Sequence, residues 1–92
     1  MNNVIVKPYI EEIVKMFRIQ SKFQKQVEKI KTGIFDKGLG FEKIEVADGI
    51  ILYSFRIDIH FRAYARKENG NFIVFDVNNH DYKTIVKKLK SR

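Results

Sequence analysis

Three side chains in this 92-residue chain are suited to phosphate chemistry: Arg56, Arg62 and His80. A guanidinium binds phosphate through paired hydrogen bonds and stays charged at any working pH. An imidazole can give or take a proton near neutrality. Whether they meet depends on strand register. If Asp58, Ile59 and His60 form a hairpin loop, Ile57 pairs with Phe61, Phe55 with Ala63 and Tyr53 with Ala65. Arg56 then stands directly across from Arg62, and Ser54 opposite Tyr64. Like charges facing each other across strands repel, so such a pair makes sense where an anion sits between them. The alternative is that Arg56 pairs with Asp58 or Asp76, and that His80 only closes the last strand.

The next hairpin is read by the same test. A three-residue loop of Asn69, Gly70 and Asn71, with a bulge, sets Arg66 against Val74, Tyr64 against Asp76 and Arg62 against Asn78. One face then carries Phe61, Ala63, Ala65, Ile73, Phe75 and Val77. The other collects Ser54, Arg56, Arg62, Tyr64, Arg66, Asp76, Asn78 and His80. A two-residue loop would mix Arg62 with Val77 and Phe75. In this register Arg62 faces away from the apolar core, so truncating it is expected to cost little stability.

The elements that position these residues follow from periodicity. Residues 4–7 are β-like and suit an edge strand. Pro8 fits a first helical position, Glu11 and Glu12 suit the positive end of a helix, and Ile10, Ile13, Val14 and Phe17 recur at helical spacing, giving a helix over about 8–19. Ser21 with Gln24 reads as a capping box. Phe23, Val27, Ile30 and Ile34 form the stripe of a second helix, with Gly33 weakening its last turn and Gly38 a plausible stop. Strands are expected over 42–46, 51–57, 61–68 and 72–78, with a turn at Asp48 and Gly49. A last helical turn or two is expected over 83–90. The fold class is therefore α+β: two N-terminal antiparallel helices packed on a twisted antiparallel sheet of about four strands, with a short C-terminal helix, all in one domain.

Composition narrows the function. There is no cysteine, so neither disulfides nor thiolate chemistry is available. No apolar run approaches the ~18 residues of a membrane helix, and the first nine residues are too polar for a secretion signal. A cytoplasmic protein is expected. Net charge is +7 and unevenly spread. Residues 7–37 hold eight basic and four acidic side chains, residues 38–82 five and seven, and residues 83–92 five and none. Basic charge on helices and tail is either a solvated surface or a footprint for a polyanion or an acidic partner.

The segments Gly38-Leu39-Gly40-Phe41-Glu42-Lys43-Ile44, Tyr53-Ser54-Phe55-Arg56-Ile57, Phe61-Arg62-Ala63-Tyr64 and Asn79-His80-Asp81-Tyr82 come in the order, and at about the spacing, of the RelE/ParE toxin superfamily. The chain resembles that family, most of all the RelE/YoeB-type toxins. The resemblance implies a type II toxin: a ribosome-dependent endoribonuclease cutting mRNA by attack of a ribose 2′-hydroxyl on the adjacent phosphate. Arg62 is implied to stabilise the growing phosphate charge, with Arg56 a second cation. His80 is implied as general acid and Glu42, after a one-residue shift, as general base. Tyr82 resembles the family's late tyrosine, although Asp81 is inserted before it. Ser54 stands where RelE has a lysine, so that lysine's chemistry is absent. Ser54, Tyr64, Arg66 and Lys83 are implied RNA contacts. The implied partners are a cognate antitoxin, the ribosome and mRNA; no metal or other cofactor and no membrane is expected. An antitoxin could cover Ile85, Val86 and Leu89, which lie amid the basic tail. ParE-like relatives that inhibit gyrase, and non-catalytic RNA- or protein-binding domains of the same fold, are the alternatives.

Overall fold

A computed structural model describes residues 2–45 and 49–78. The expected helical turns at 83–90 lie outside them. Among the described residues the order is β1 (Asn3–Val6), α1 (Pro8–Met16), α2 (Gln20–Thr32), β2 (Glu42–Glu45), β3 (Ile51–Arg56), β4 (Arg62–Glu68) and β5 (Asn71–Asn78). The fold is α+β, as the periodicity implied, but the sheet has five strands rather than about four and is mixed rather than antiparallel. Its order is β1-β5-β4-β3-β2, with β1 parallel to β5 and every other pair antiparallel. The chain starts at one edge, crosses one face through both helices, and meanders back from the other edge. A parallel neighbour needs such a crossover, so β1 could be read as an edge strand while its partner could not.

Both helices end in the same way. Ile19 N–H donates to the Val14 carbonyl and Arg18 N–H to Lys15, with Arg18 left-handed at φ 58°. Ile34 N–H donates to Lys29 and Gly33 N–H to Ile30, with Gly33 at φ 77°. These are Schellman closures. They correct three expectations. The first helix stops at Met16, not Ile19; the second stops before Gly33, not Gly38; and Ile34 lies outside the buried stripe, half exposed. The capping box does not form. Helix α2 starts at Gln20 straight out of the tight turn, capped by the buried Ile19 with no side-chain bond.

The β3–β4 register is the expected one: Tyr53 pairs with Ala65, Ser54 with Tyr64, Phe55 with Ala63 and Arg56 with Arg62. The β4–β5 hairpin differs. Its loop is the two-residue Asn69-Gly70, both with positive φ, and Glu68 pairs with Asn71. That backbone matches the strand twist. Arg66 therefore faces Ile73, not Val74. A bulge then resets the ladder, so Tyr64 faces Asp76 and Arg62 faces Asn78 as expected. The extra residue falls at Phe75, whose carbonyl accepts from the Tyr9 hydroxyl at 2.6 Å. Phe72, Val74 and Val77 join the main core, and Phe75 joins a second cluster with Leu52 and Tyr64.

The main core packs Ile10, Val14, Phe23, Val27 and Ile30 of the helices against Phe55, Ala63, Ala65 and Val74 of the sheet. Phe23 stacks on Phe55 at 6.1 Å between ring centroids. Each such buried large side chain contributes about 1.5–3 kcal/mol of transfer free energy. Leu39, in the loop between α2 and β2, is fully buried in the same core and anchors that loop beside the end of β3.

Candidate functional site: an opposed arginine pair

At the end of β3 and the start of β4, Arg56 and Arg62 face each other. The two residues are held differently. The Arg62 side chain is about a quarter exposed, and its Nε donates to Ser54 Oγ at 2.8 Å and its Nη2 to the Gly40 carbonyl at 2.6 Å. Glu42 Oε2 lies 4.0 Å from the same Nη2. The Arg62 guanidinium is thereby held at Nε and Nη2. Arg56 is exposed, and its side chain makes no ion pair among the described residues. Asp58, one proposed partner for it, is occupied in capping the 58–60 turn, where Oδ1 accepts from the N–H groups of His60 and Phe61. Burial pushes the Asp58 carboxyl up, but those two bonds together with the nearby Lys22 charge outweigh it and hold the group below its ordinary value.

Gly40 suits this loop through its backbone conformation, and a Cβ added there would make only ordinary van der Waals contacts. Its φ of 56° is left-handed, and a Cβ there would stand 3.5 Å from Arg62 Nη1 and 3.6 Å from Arg56 Cβ. The loop holding Gly40 is tied at several points. Asp36 Oδ1 accepts from Lys29 Nζ at 3.2 Å and from Leu39 N–H at 2.9 Å, and Leu39 carbonyl accepts from Arg56 N–H at 2.8 Å. The Lys29 bond, followed by the Leu39 bond, holds the Asp36 carboxyl below its usual value.

The sequence-predicted residues divide into three groups. Glu42, Ser54, Arg56 and Arg62 are together: Glu42 pairs with Ser54 across β2–β3, and Ser54 bonds Arg62 on the diagonal. Tyr64 and Arg66 are on the same strand but otherwise engaged. Tyr64 is almost fully buried with Leu52 and Phe75, and Arg66 bonds Glu68 at 3.1 Å and lies over the Phe75 ring. His80, Tyr82 and Lys83 lie outside the described residues. Two contributors escaped the sequence reading, Gly40 by its carbonyl and Gln26 by its amide. Gln26 donates to the carbonyls of Gly38 at 3.0 Å and Arg56 at 2.7 Å. Its sequence signal is a polar residue on the apolar stripe of α2, three after Phe23 and four before Ile30.

Chemically, the face offers one oriented guanidinium, one guanidinium with no ion pair among the described residues and one nearby carboxylate, on a basic protein. Guanidinium groups so placed can hydrogen-bond a phosphate monoanion or diester. No helix among the described residues is long and apolar enough to cross a membrane. No protein-family model matches the chain, and no curated protein matches it at a significant level.

Proposed function

We propose that this chain is an endoribonuclease toxin of the RelE kind, acting on ribosome-bound mRNA and held in check by a cognate antitoxin. The observation that carries the reading is the Arg56–Arg62 pair, with Arg62 oriented by Ser54 and Gly40. Two cations are set against each other at a small stability cost, and the buried side of the site is built to hold one of them still. A fixed donor aimed at developing charge is the arrangement that lowers a barrier.

In this reading the ribose 2′-oxygen attacks the adjacent phosphorus and the bond to the 5′-oxygen breaks, leaving a 2′,3′-cyclic phosphate and a 5′-hydroxyl. Glu42 takes the 2′-hydroxyl proton, Arg62 and Arg56 stabilise the phosphorane oxygens, and His80 protonates the departing oxygen. Glu42 stands 4.0 Å from Arg62 Nη2, which supports a base and a charge stabiliser acting on one phosphate.

Inducible expression, with mapping of mRNA ends, tests this. The expected result is growth arrest, halted translation and new mRNA 5′ ends. Arrest with intact mRNA and gyrase trapped on DNA moves the reading to a ParE-like toxin. Folded protein with no effect on growth moves it to a non-catalytic domain.

A further inference from the structure

We infer that Gln26 is a positioning residue for the arginine pair, an inference that rests on reading this face as a phosphate site. Gln26 is a buried polar residue on a stripe otherwise made of Phe23, Val27 and Ile30. For packing alone, a methionine or leucine would serve there without the cost of desolvating an amide. What the amide adds is two directed hydrogen bonds. One goes to the carbonyl of Arg56 itself and the other to Gly38, two residues before Gly40. Arg56 N–H closes the frame onto the Leu39 carbonyl. The Gly40 carbonyl then receives Arg62 Nη2 at 2.6 Å. One side chain on α2 thus holds together the backbone of one arginine and the loop that orients the other. Ser54 completes the set from the sheet side.

The consequence is specific. Without the amide, the loop and the β3 end keep the Arg56 N–H bond to Leu39 but lose both bonds from Gln26, and the spacing of the two guanidinium groups loosens. The core beneath them keeps its apolar residues. The test reads the Arg62 Nε–H signal of the ¹⁵N-labelled protein and its exchange with water, free and with a 2′-O-methyl single-stranded RNA that cannot be cut. In folded Gln26→Met, Arg62 Nε–H is expected to lose protection about tenfold, and RNA affinity to fall by about the same factor. Val27→Ala, which removes buried packing from the same helix without touching the frame, is expected to leave both unchanged. Unaltered Arg62 exchange in folded Gln26→Met, or equal loss in Val27→Ala, overturns the inference. If Gln26→Met fails to fold, the native protein decides. Protected Gln26 amide protons that open at the same rate as Arg62 Nε–H support it, and freely exchanging ones overturn it. Failure of the native protein to bind the RNA, both free and in a programmed ribosome, removes the phosphate-site reading, while the Arg62 signal still decides whether Gln26 holds it.

Discussion

Arg62 Nε donates to the Ser54 hydroxyl at 2.8 Å, on the diagonal between β4 and β3, and Ser54 is only 1% exposed. The outward-facing arginine is therefore part of the protein's buried polar structure as well as a surface charge.

Arg62→Ala leaves the Ser54 hydroxyl and the Gly40 carbonyl without this donor. The expected cost is about 1–3 kcal/mol, the scale for orphaning buried polar groups. In a domain of this size that lowers the melting temperature by roughly 4–8 °C per kcal/mol. The outward position alone suggested a far smaller cost. Cleavage is expected to drop about a hundredfold or more, the scale for losing one oriented donor. Thermal melting alongside an RNA cleavage assay separates the two losses. An unchanged melting temperature would mean that these bonds do not form in solution.

Gly40→Ala and Gly33→Ala form a matched pair. Both glycines have positive φ, so both substitutions introduce backbone strain of about 1–2 kcal/mol. Space does not separate them, since a Cβ at Gly40 would be in ordinary contact with Arg62 Nη1 and Arg56 Cβ and one at Gly33 in the open; what separates them is that strain at Gly40 falls on the carbonyl that holds Arg62. Denaturant titration should show both variants weakened to a similar extent. Only Gly40→Ala should also lose affinity for single-stranded RNA. Equal RNA affinity in the two would dissociate Gly40 from the site.

Much of this was legible in the sequence where alternation was clean. Tyr53, Phe55 and Ile57 alternate with Ser54 and Arg56, so only one register buries an apolar face, and the arginine opposition followed from it. Strand β5 gave no such constraint. Phe72, Ile73, Val74 and Phe75 are apolar at both parities, so either face could be buried, and a bulge at Phe75 resets the pairing without leaving a polar residue as a marker. The Schellman closure after α1 was hidden because its left-handed position holds Arg18, where glycine usually signals the stop. The role of the Gly40 carbonyl depends on a loop fold that no local pattern encodes.

Arg18→Gly follows from that last point. Arg18 is exposed and sits at φ 58°. Relief of left-handed strain favours glycine by about 1 kcal/mol, and glycine's extra freedom in the unfolded chain offsets part of it. A small rise in melting temperature is expected, with RNA cleavage unchanged. A fall would show that the Arg18 side chain makes a contact worth more than the strain.

Acid should loosen the site's frame before it unfolds the core. Asp36 and Asp58 both have depressed folded-state pKa values, Asp36 through the Lys29 bond and then the Leu39 bond, Asp58 because burial is outweighed by two backbone N–H bonds together with the nearby Lys22 charge. A depressed carboxylate contributes stability that is complete above its unfolded pKa and is lost as pH falls through the folded one. The loss therefore begins as pH drops below the ordinary value of 3.8. Urea midpoints measured from neutral to acid pH should fall in that window. Asp36→Asn and Asp58→Asn should each flatten the fall, and a profile that stays equally steep in both would exclude these two groups as its source.

Arg56→Gln is expected to behave as the converse of Arg62→Ala. Its guanidinium makes no ion pair among the described residues, and the bonds at this position are made by its backbone: N–H to Leu39, carbonyl from Gln26. Removing the charge leaves that frame in place and relieves the opposition with Arg62, worth about 0.2–1 kcal/mol for directly facing like charges. Stability should hold or rise slightly. RNA binding should weaken, and the slope of log affinity against log salt should shrink by about 0.7, one released counterion on a single strand. Fluorescence anisotropy at several salt concentrations measures both. If affinity falls while the slope is unchanged, Arg56 acts through shape rather than through a phosphate. If neither changes, no anion sits between the arginines, and their opposition needs another explanation.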